Sequence, residues 1–200
     1  MANTVIRSAI VTGGSRGIGA AIVRRLAADG FAVAVNYAGN AVEAEKTVEQ
    51  VRVAGGKAIA VQADVSSGDA MRRLFDATEA AKRLRSGGRI ISFSSSVVGL
   101  YQPTYGVYAA TKAAVEAMTH VLANEMRGRN ITVNAVAPGP TATDLFLTGK
   151  PQELVDRIGK AAPLERLGQP DDIAAAVAFL AGPDGAWING QVLRANGGVI

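Results

Sequence analysis

The sequence predicts an α/β fold: a doubly wound parallel sheet of six strands in a single domain, with helices on both faces. Three observations predict it. Short runs rich in Val and Ile alternate with longer stretches of helical period. A glycine-rich turn, Thr12 to Gly19, joins the first such run to the first helical stretch. The length of 200 residues suffices for one sizeable core.

Strands are expected at residues 8–11, 31–36, 58–62, 89–94, 131–136 and 191–194, each bounded by Gly, Asn or Asp or lying close to one. Helices are expected between them, at residues 17–29, 42–54, 68–85, 105–127 and 171–180. Pro170 suits the first turn of the last helix, and Gly30 and Gly55 punctuate two helix ends. Strictly alternating elements imply right-handed crossovers and a parallel sheet. Residues 141–163 form the least regular stretch. It has room for a short helix at 152–160 and reads as a mobile segment.

Composition narrows the function classes. The chain has no cysteine, which excludes disulfides, thiolate catalysis and cysteine-ligated metals. One histidine, His120, lies inside a helical stretch and gives no basis for a zinc site, so no metal is expected. The net charge of +4 is spread along the chain. The basic group at 82–85 reads as a solvated helix face, and no aromatic-basic pattern points to nucleic acid. No apolar run approaches a membrane span, and the first residues lack the apolar core of a signal segment. A cytoplasmic protein without membrane or nucleic-acid partners is expected.

The turn carries chemistry. Gly13 permits a sharp strand-to-helix bend, Gly17 lets backbone approach a ligand, and Gly19 lets the helix pack close to the sheet. Amides at that helix start would face a diphosphate. The spacing is G-x-x-x-G-x-G from Gly13. The second strand ends in Asn36-Tyr37-Ala38, with no carboxylate to repel an adenosine 2′-phosphate. Arg16 adds a cation inside the turn. NADP(H) is therefore favoured over NAD(H). Asp64, after the third strand, either accepts from the adenine amino group or caps the helix that follows.

A second constellation lies downstream. Tyr108 and Lys112 are four apart on an expected helix and share a face. A nearby ammonium favours the phenolate and suits tyrosine to proton transfer near neutrality, and Lys112 could also hold ribose hydroxyls. Ser95, at a strand end, could hydrogen-bond a substrate carbonyl. Its neighbours Ser94 and Ser96 are expected to bond the backbone there. A serine hydrolase is excluded: there is no G-x-S-x-G elbow, and the one histidine is inside the later helix.

Together these residues resemble the short-chain dehydrogenase/reductase family, and within it the 3-oxoacyl-(acyl-carrier-protein) reductases. The resemblance rests on Thr12 to Gly19, Asn36-Tyr37, Asp64-Val65, Ser95, Tyr108 with Lys112, Asn134 to Gly139, and Asn189-Gly190-Gln191 through Gly197-Gly198. It covers almost the whole chain. It implies a Rossmann-like fold and hydride transfer between NADP(H) and a carbonyl or secondary alcohol, with Ser95, Tyr108 and Lys112 catalytic. It implies cofactor contacts at Gly13, Ser15, Arg16, Gly17, Ile18, Gly19, Asn36, Tyr37, Asp64, Val65, Tyr108, Lys112, Pro138, Gly139, Thr141 and Thr143. It also implies that residues 141–163 cover the substrate, and that the chain forms a homodimer or homotetramer.

The sequence departs from the family at one place. The family's Asn-Asn-Ala-Gly strand and the following helix, which holds a catalytic asparagine, are absent. Residues 75–77 resemble the end of the third helix and residues 81–84 the end of the fourth, joined near Thr78-Glu79. In one arrangement a fused helix covers that face and the strand at 89–94 pairs beside 8–11, in the order 3-2-1-5-6-7. In the other, a gap beside the first strand exposes two edges. The first moves Ser95 and Tyr108 by about one strand spacing, ~4.8 Å, and misplacement by only about 1 Å can cost roughly a hundredfold in rate. A catalytically silent nucleotide-binding or oligomerising protein is therefore the second function class. A redox-sensing regulator on the same fold has no added sequence module to support it.

Overall fold

The first Val- and Ile-bearing run becomes β1 (Ser8–Val11), followed by α1 (Gly17–Ala28), β2 (Ala32–Tyr37), α2 (Ala41–Val53) and β3 (Lys57–Gln62). These belong to the first of two units in a computed structural model that describes residues 7–70 and 87–200. The strands are parallel in the order β1-β2-β3, with Val11 opposite Val35 and Asn36 opposite Val61. α1 buries Ala20, Ile22, Val23 and Leu26, and α2 buries Ala44, Val48 and Val51. These positions recur at helical spacing, so each helix presents one apolar stripe. Asn40 caps α2, its side-chain oxygen accepting from the Glu43 amide at 3.1 Å. Residues 68–70 are helical. The rest of the helix expected at 68–85, the junction near Thr78-Glu79 and the basic group at 82–85 lie outside the described residues.

The second unit contains β4 (Arg89–Phe93), α3 (Val97–Leu100), α4 (Gly106–Glu125), β5 (Thr132–Pro138), α5 (Asp144–Leu147), α6 (Gln152–Lys160), α7 (Pro170–Ala181), a 3-10 turn (Pro183–Gly185) and β6 (Val192–Ala195). Its strands are also parallel, in the order β4-β5-β6. Central β5 is buried from Thr132 to Ala137, as a strand covered on both faces should be. α7 packs Ile173, Ala174, Val177 and Leu180 into this core. Asn134 fixes the approach to β6. Its Nδ2 donates to the Ile188 carbonyl at 2.8 Å, and its Oδ1 accepts from the Gln191 amide at 3.0 Å. Asn189 returns the contact, its Oδ1 accepting from the Val133 amide at 2.8 Å.

The six expected strands are present, and both ladders are parallel. Each unit holds one ladder of three strands among the described residues.

Candidate functional site

The turn after β1 is built for a close approach. Gly13 and Gly17 have φ of +66° and +55°, in the left-handed region that favours glycine. A Cβ on Gly19 would lie 2.2 Å from the Gly13 carbonyl oxygen, so only glycine lets the start of α1 fold back on the turn. The Gly14 amide donates to the Asn36 carbonyl at 3.0 Å and ties the turn to β2. Thr47 of α2 lies against it, its hydroxyl 3.0 Å from both the Ser15 carbonyl and the Glu43 carbonyl of its own helix. The first amide of α1 with a main-chain acceptor is Ala20, onto the Arg16 carbonyl at 3.2 Å. The amides of Gly17, Ile18 and Gly19 precede it in the first turn, where helices leave donors for an anion. Arg16 is the exposed N-cap of α1, and its guanidinium has no partner among the described residues. These features fit a dinucleotide diphosphate.

At the end of β2, Asn36 is only 2% exposed. Its Nδ2 donates to the Ala63 carbonyl at 2.9 Å and more weakly to Val61 at 3.3 Å, so the amide holds β3 to β2. Tyr37 is half-buried and Val65 exposed. Asp64 is exposed; its Oδ1 accepts from the Ser66 amide at 2.9 Å and the Ser66 hydroxyl at 2.7 Å. Those two bonds, the amide first, hold its carboxyl below the usual carboxylate range. Ser67 makes the next contact, its hydroxyl accepting from the Ala70 amide at 3.3 Å. Asp64 thus closes a tight Asx turn, and Ser67, not Asp64, caps the helix that follows.

In the second unit, α4 brings Tyr108 and Lys112 onto one face. Lys112 Nζ lies 5.8 Å from the centroid of the Tyr108 ring and donates to the Phe93 carbonyl, at the end of β4, at 3.0 Å. Tyr108 is 46% exposed, and its ring meets Tyr105 edge to face at 6.2 Å. Ser95 follows β4 and is half-buried; its Oγ accepts from the Val97 amide at 3.3 Å and keeps its own proton free to donate. Ser96 bonds the backbone as expected, donating to the Ala137 carbonyl at 3.1 Å, and also accepts from Asn196 Nδ2 at 3.0 Å. Ser94 meets the expectation in part: its hydroxyl lies 3.3 Å from the Lys112 carbonyl, and at 2.6 Å it also reaches the Glu116 carboxylate, which no sequence motif singles out. The readable signal for Glu116 was its position one turn beyond Lys112.

Pro138 closes β5, and Gly139 follows it into close packing: a Cβ there would lie 2.8 Å from Asn196 Cα. Thr141 is buried, its hydroxyl donating to the Gly139 carbonyl at 2.9 Å. Thr143 caps α5 by accepting from the Phe146 amide at 3.2 Å. The stretch from 141 to 163 therefore carries α5 and α6, the latter at the expected 152–160. Among the described residues, no group of three or more His, Cys, Asp or Glu could hold a metal, and no helix is long and apolar enough to cross a membrane.

Comparison with known proteins agrees with this geometry. The family described as short chain dehydrogenase matches residues 7–84, and the one described as enoyl-(acyl carrier protein) reductase matches residues 77–200. An NADPH-dependent aldehyde reductase-like protein of Arabidopsis thaliana is 37% identical over 254 residues, covering 97% of this chain and 94% of its own. A 3-oxoacyl-(acyl-carrier-protein) reductase of Staphylococcus epidermidis is 34% identical over 242 residues, with 96% of this chain and 98% of its own covered. The crystal structure of a short chain dehydrogenase from Burkholderia cenocepacia in complex with NADP superposes with a TM-score of 0.89 at 34% identity, covering 96% of this chain and 97% of that one. On the motifs, the fold and these relatives, the chain belongs to the short-chain dehydrogenase/reductase family.

Proposed function

We propose that this protein transfers hydride between NADP(H) and a carbonyl or secondary alcohol, with the whole chain acting as one dinucleotide-binding and catalytic domain. The observation that carries the reading is the shared face of Tyr108 and Lys112, held against the end of β4 where Ser95 follows. Bound NADPH supplies the hydride. The turn amides and Gly13, Ser15, Gly17, Ile18 and Gly19 hold the diphosphate, and Arg16 pairs with the 2′-phosphate. Asn36, Tyr37, Asp64 and Val65 border the adenosine. Ser95 donates to the substrate oxygen, and Tyr108 delivers the proton that turns this oxygen into a hydroxyl. Lys112, held beside the Tyr108 ring, binds the ribose. Pro138, Gly139, Thr141 and Thr143 border the nicotinamide half, and residues 141–163 cover the substrate.

One βα unit of the family is absent from this chain in the proposed reading. An alignment of 254 positions against a chain of 200 residues supports it, because the relative must then hold positions with no counterpart here. Assembly into a homodimer or homotetramer is supported by large apolar side chains left open to solvent, Val107 and Val121 on α4 and Trp187 beyond α7. A chain without cysteine suits the cytoplasm, the proposed compartment.

The test titrates NADPH by fluorescence, then follows loss of its absorbance with aldehydes, ketones and 3-oxoacyl thioesters. Binding with turnover supports the reading. Binding without turnover on any of them gives the silent nucleotide-binding protein instead, and absence of binding overturns both.

A further inference from the structure

Glu116 stands one helical turn beyond Lys112 and two beyond Tyr108, so the three side chains share a face of α4. The reaction proposed above uses two of them. Glu116 enters no ion pair among the described residues. Its Oε1 accepts the Ser94 hydroxyl at 2.6 Å. Ser94 is 4% exposed. It lies directly after Phe93, whose carbonyl takes Lys112 Nζ, and directly before Ser95. A second acceptor, the Lys112 carbonyl, lies 3.3 Å from the same hydroxyl. A hydroxyl has one proton to give, and the shorter contact, to a carboxylate, takes it.

We infer that Ser94 and Glu116 form a positioning pair, a hydroxyl-to-carboxylate latch that fixes Ser95 relative to Tyr108 and Lys112. The inference rests on the assignment of those three residues as the reacting groups. The latch and the Lys112 contact to Phe93 are two ties from α4 to consecutive residues at the end of β4. Two such ties define both the distance and the rotation of the helix face, which one tie does not. Without the carboxylate, the Ser94 hydroxyl keeps only the longer contact to the Lys112 carbonyl, 3.3 Å, an acceptor that α4 already uses for its own hydrogen bonding, so the helix face is held less firmly beside Ser95.

The test compares the full-length protein with Glu116→Leu, Ser94→Ala, the double variant and Glu116→Gln, which keeps an acceptor of the same reach. Glu116→Leu and Ser94→Ala should each lower kcat by about tenfold to a hundredfold, the scale of a sub-ångström to ångström misplacement, with KM for the carbonyl little changed. The double variant should be no worse than the poorer single variant, because both remove one contact. Glu116→Gln should recover most of the loss. Hydrogen exchange of residues 106–116, which needs no turnover, should be faster in Glu116→Leu and Ser94→Ala and near wild type in Glu116→Gln. Wild-type kcat and exchange in Glu116→Leu would overturn the latch, as would equal damage from Gln and Leu. A Glu116→Leu chain that fails to fold leaves Ser94→Ala, a smaller change, to decide. If the wild-type protein turns over no carbonyl, the function reading fails, and the exchange data alone decide the latch.

Discussion

Lys112 spends one of its three N–H donors on the Phe93 carbonyl, at 3.0 Å, while its Nζ stays 5.8 Å from the Tyr108 ring centroid. A carbonyl oxygen orients the ammonium without cancelling its charge, as a carboxylate would. Two donors therefore remain for ribose hydroxyls. Tyr108→Phe removes the transferable proton and leaves this arrangement of Lys112 untouched. Turnover should fall by about two to four orders of magnitude, with NADPH affinity spared in a fluorescence titration. Full activity in the phenylalanine variant would remove Tyr108 from the reaction.

Lys112→Met keeps the apolar stem and removes the ammonium. It should lower turnover and weaken NADPH together, because one group serves the phenol and the ribose. Steady-state kinetics beside the same titration separates this from Tyr108→Phe, where only turnover changes. A Met variant with normal NADPH affinity would confine Lys112 to the proton step.

Arg16 is exposed at the start of α1 with no partner among the described residues. An arginine paired with a phosphate contributes about 1.5–3 kcal/mol through charge-assisted bonds, roughly ten- to hundredfold in affinity. Arg16→Ala should weaken NADPH by that factor and NADH far less. Equal losses for both nucleotides would count against a 2′-phosphate contact.

Gly19 tests the turn itself. Its missing side chain leaves room that the Gly13 carbonyl fills, since a Cβ would stand 2.2 Å from that oxygen. Gly19→Ala must push the helix start off the turn, and overpacking of this kind costs about 1–3 kcal/mol. A chain of this size should lose about 2–4 °C in Tm for each kcal/mol. NADPH affinity should fall as well, because the amides move with the backbone. An alanine variant that binds NADPH normally would show that the cleft tolerates the displaced helix.

Much of this was legible in the sequence where a local pattern decides the outcome. β1 and α6 fall where the sequence puts them, and the other expected elements that lie wholly within the described residues shift by one or two residues at their ends. α3 and α5 were not anticipated, because four residues cannot display a helical period. The division of six strands into two ladders depends on pairing, which run length and composition do not encode. The place of Asn36 at a strand end is legible in the sequence, while its bond to the Ala63 carbonyl appears only once β3 lies beside β2. Ser94 and Glu116 are separated by 22 positions, so their contact is a product of folding.

The cap of α7 should make part of the stability pH-dependent. Asp172 accepts from the Gln169 amide at 2.7 Å and from Arg166 Nη1 and Nη2 at 2.6 and 3.1 Å. The Arg166 bonds first, then the Gln169 amide, hold its carboxyl below the ordinary carboxylate range. A carboxyl depressed in the folded state stabilises that state above its unfolded pKa, about 3.9. That contribution disappears as pH falls through the depressed folded value. Asparagine mimics the protonated acid and can still accept from the Gln169 amide, so Asp172→Asn removes only the charged part. Both partners are about half exposed, so solvent screening keeps that part to about 1 kcal/mol or less. Thermal melts at neutral pH should place the variant a few degrees below wild type, about 2–4 °C at most for a chain of this length. The two curves should converge as the solution is acidified below the unfolded pKa, and a gap that persists into acid would show that the side chain acts through shape and not through charge.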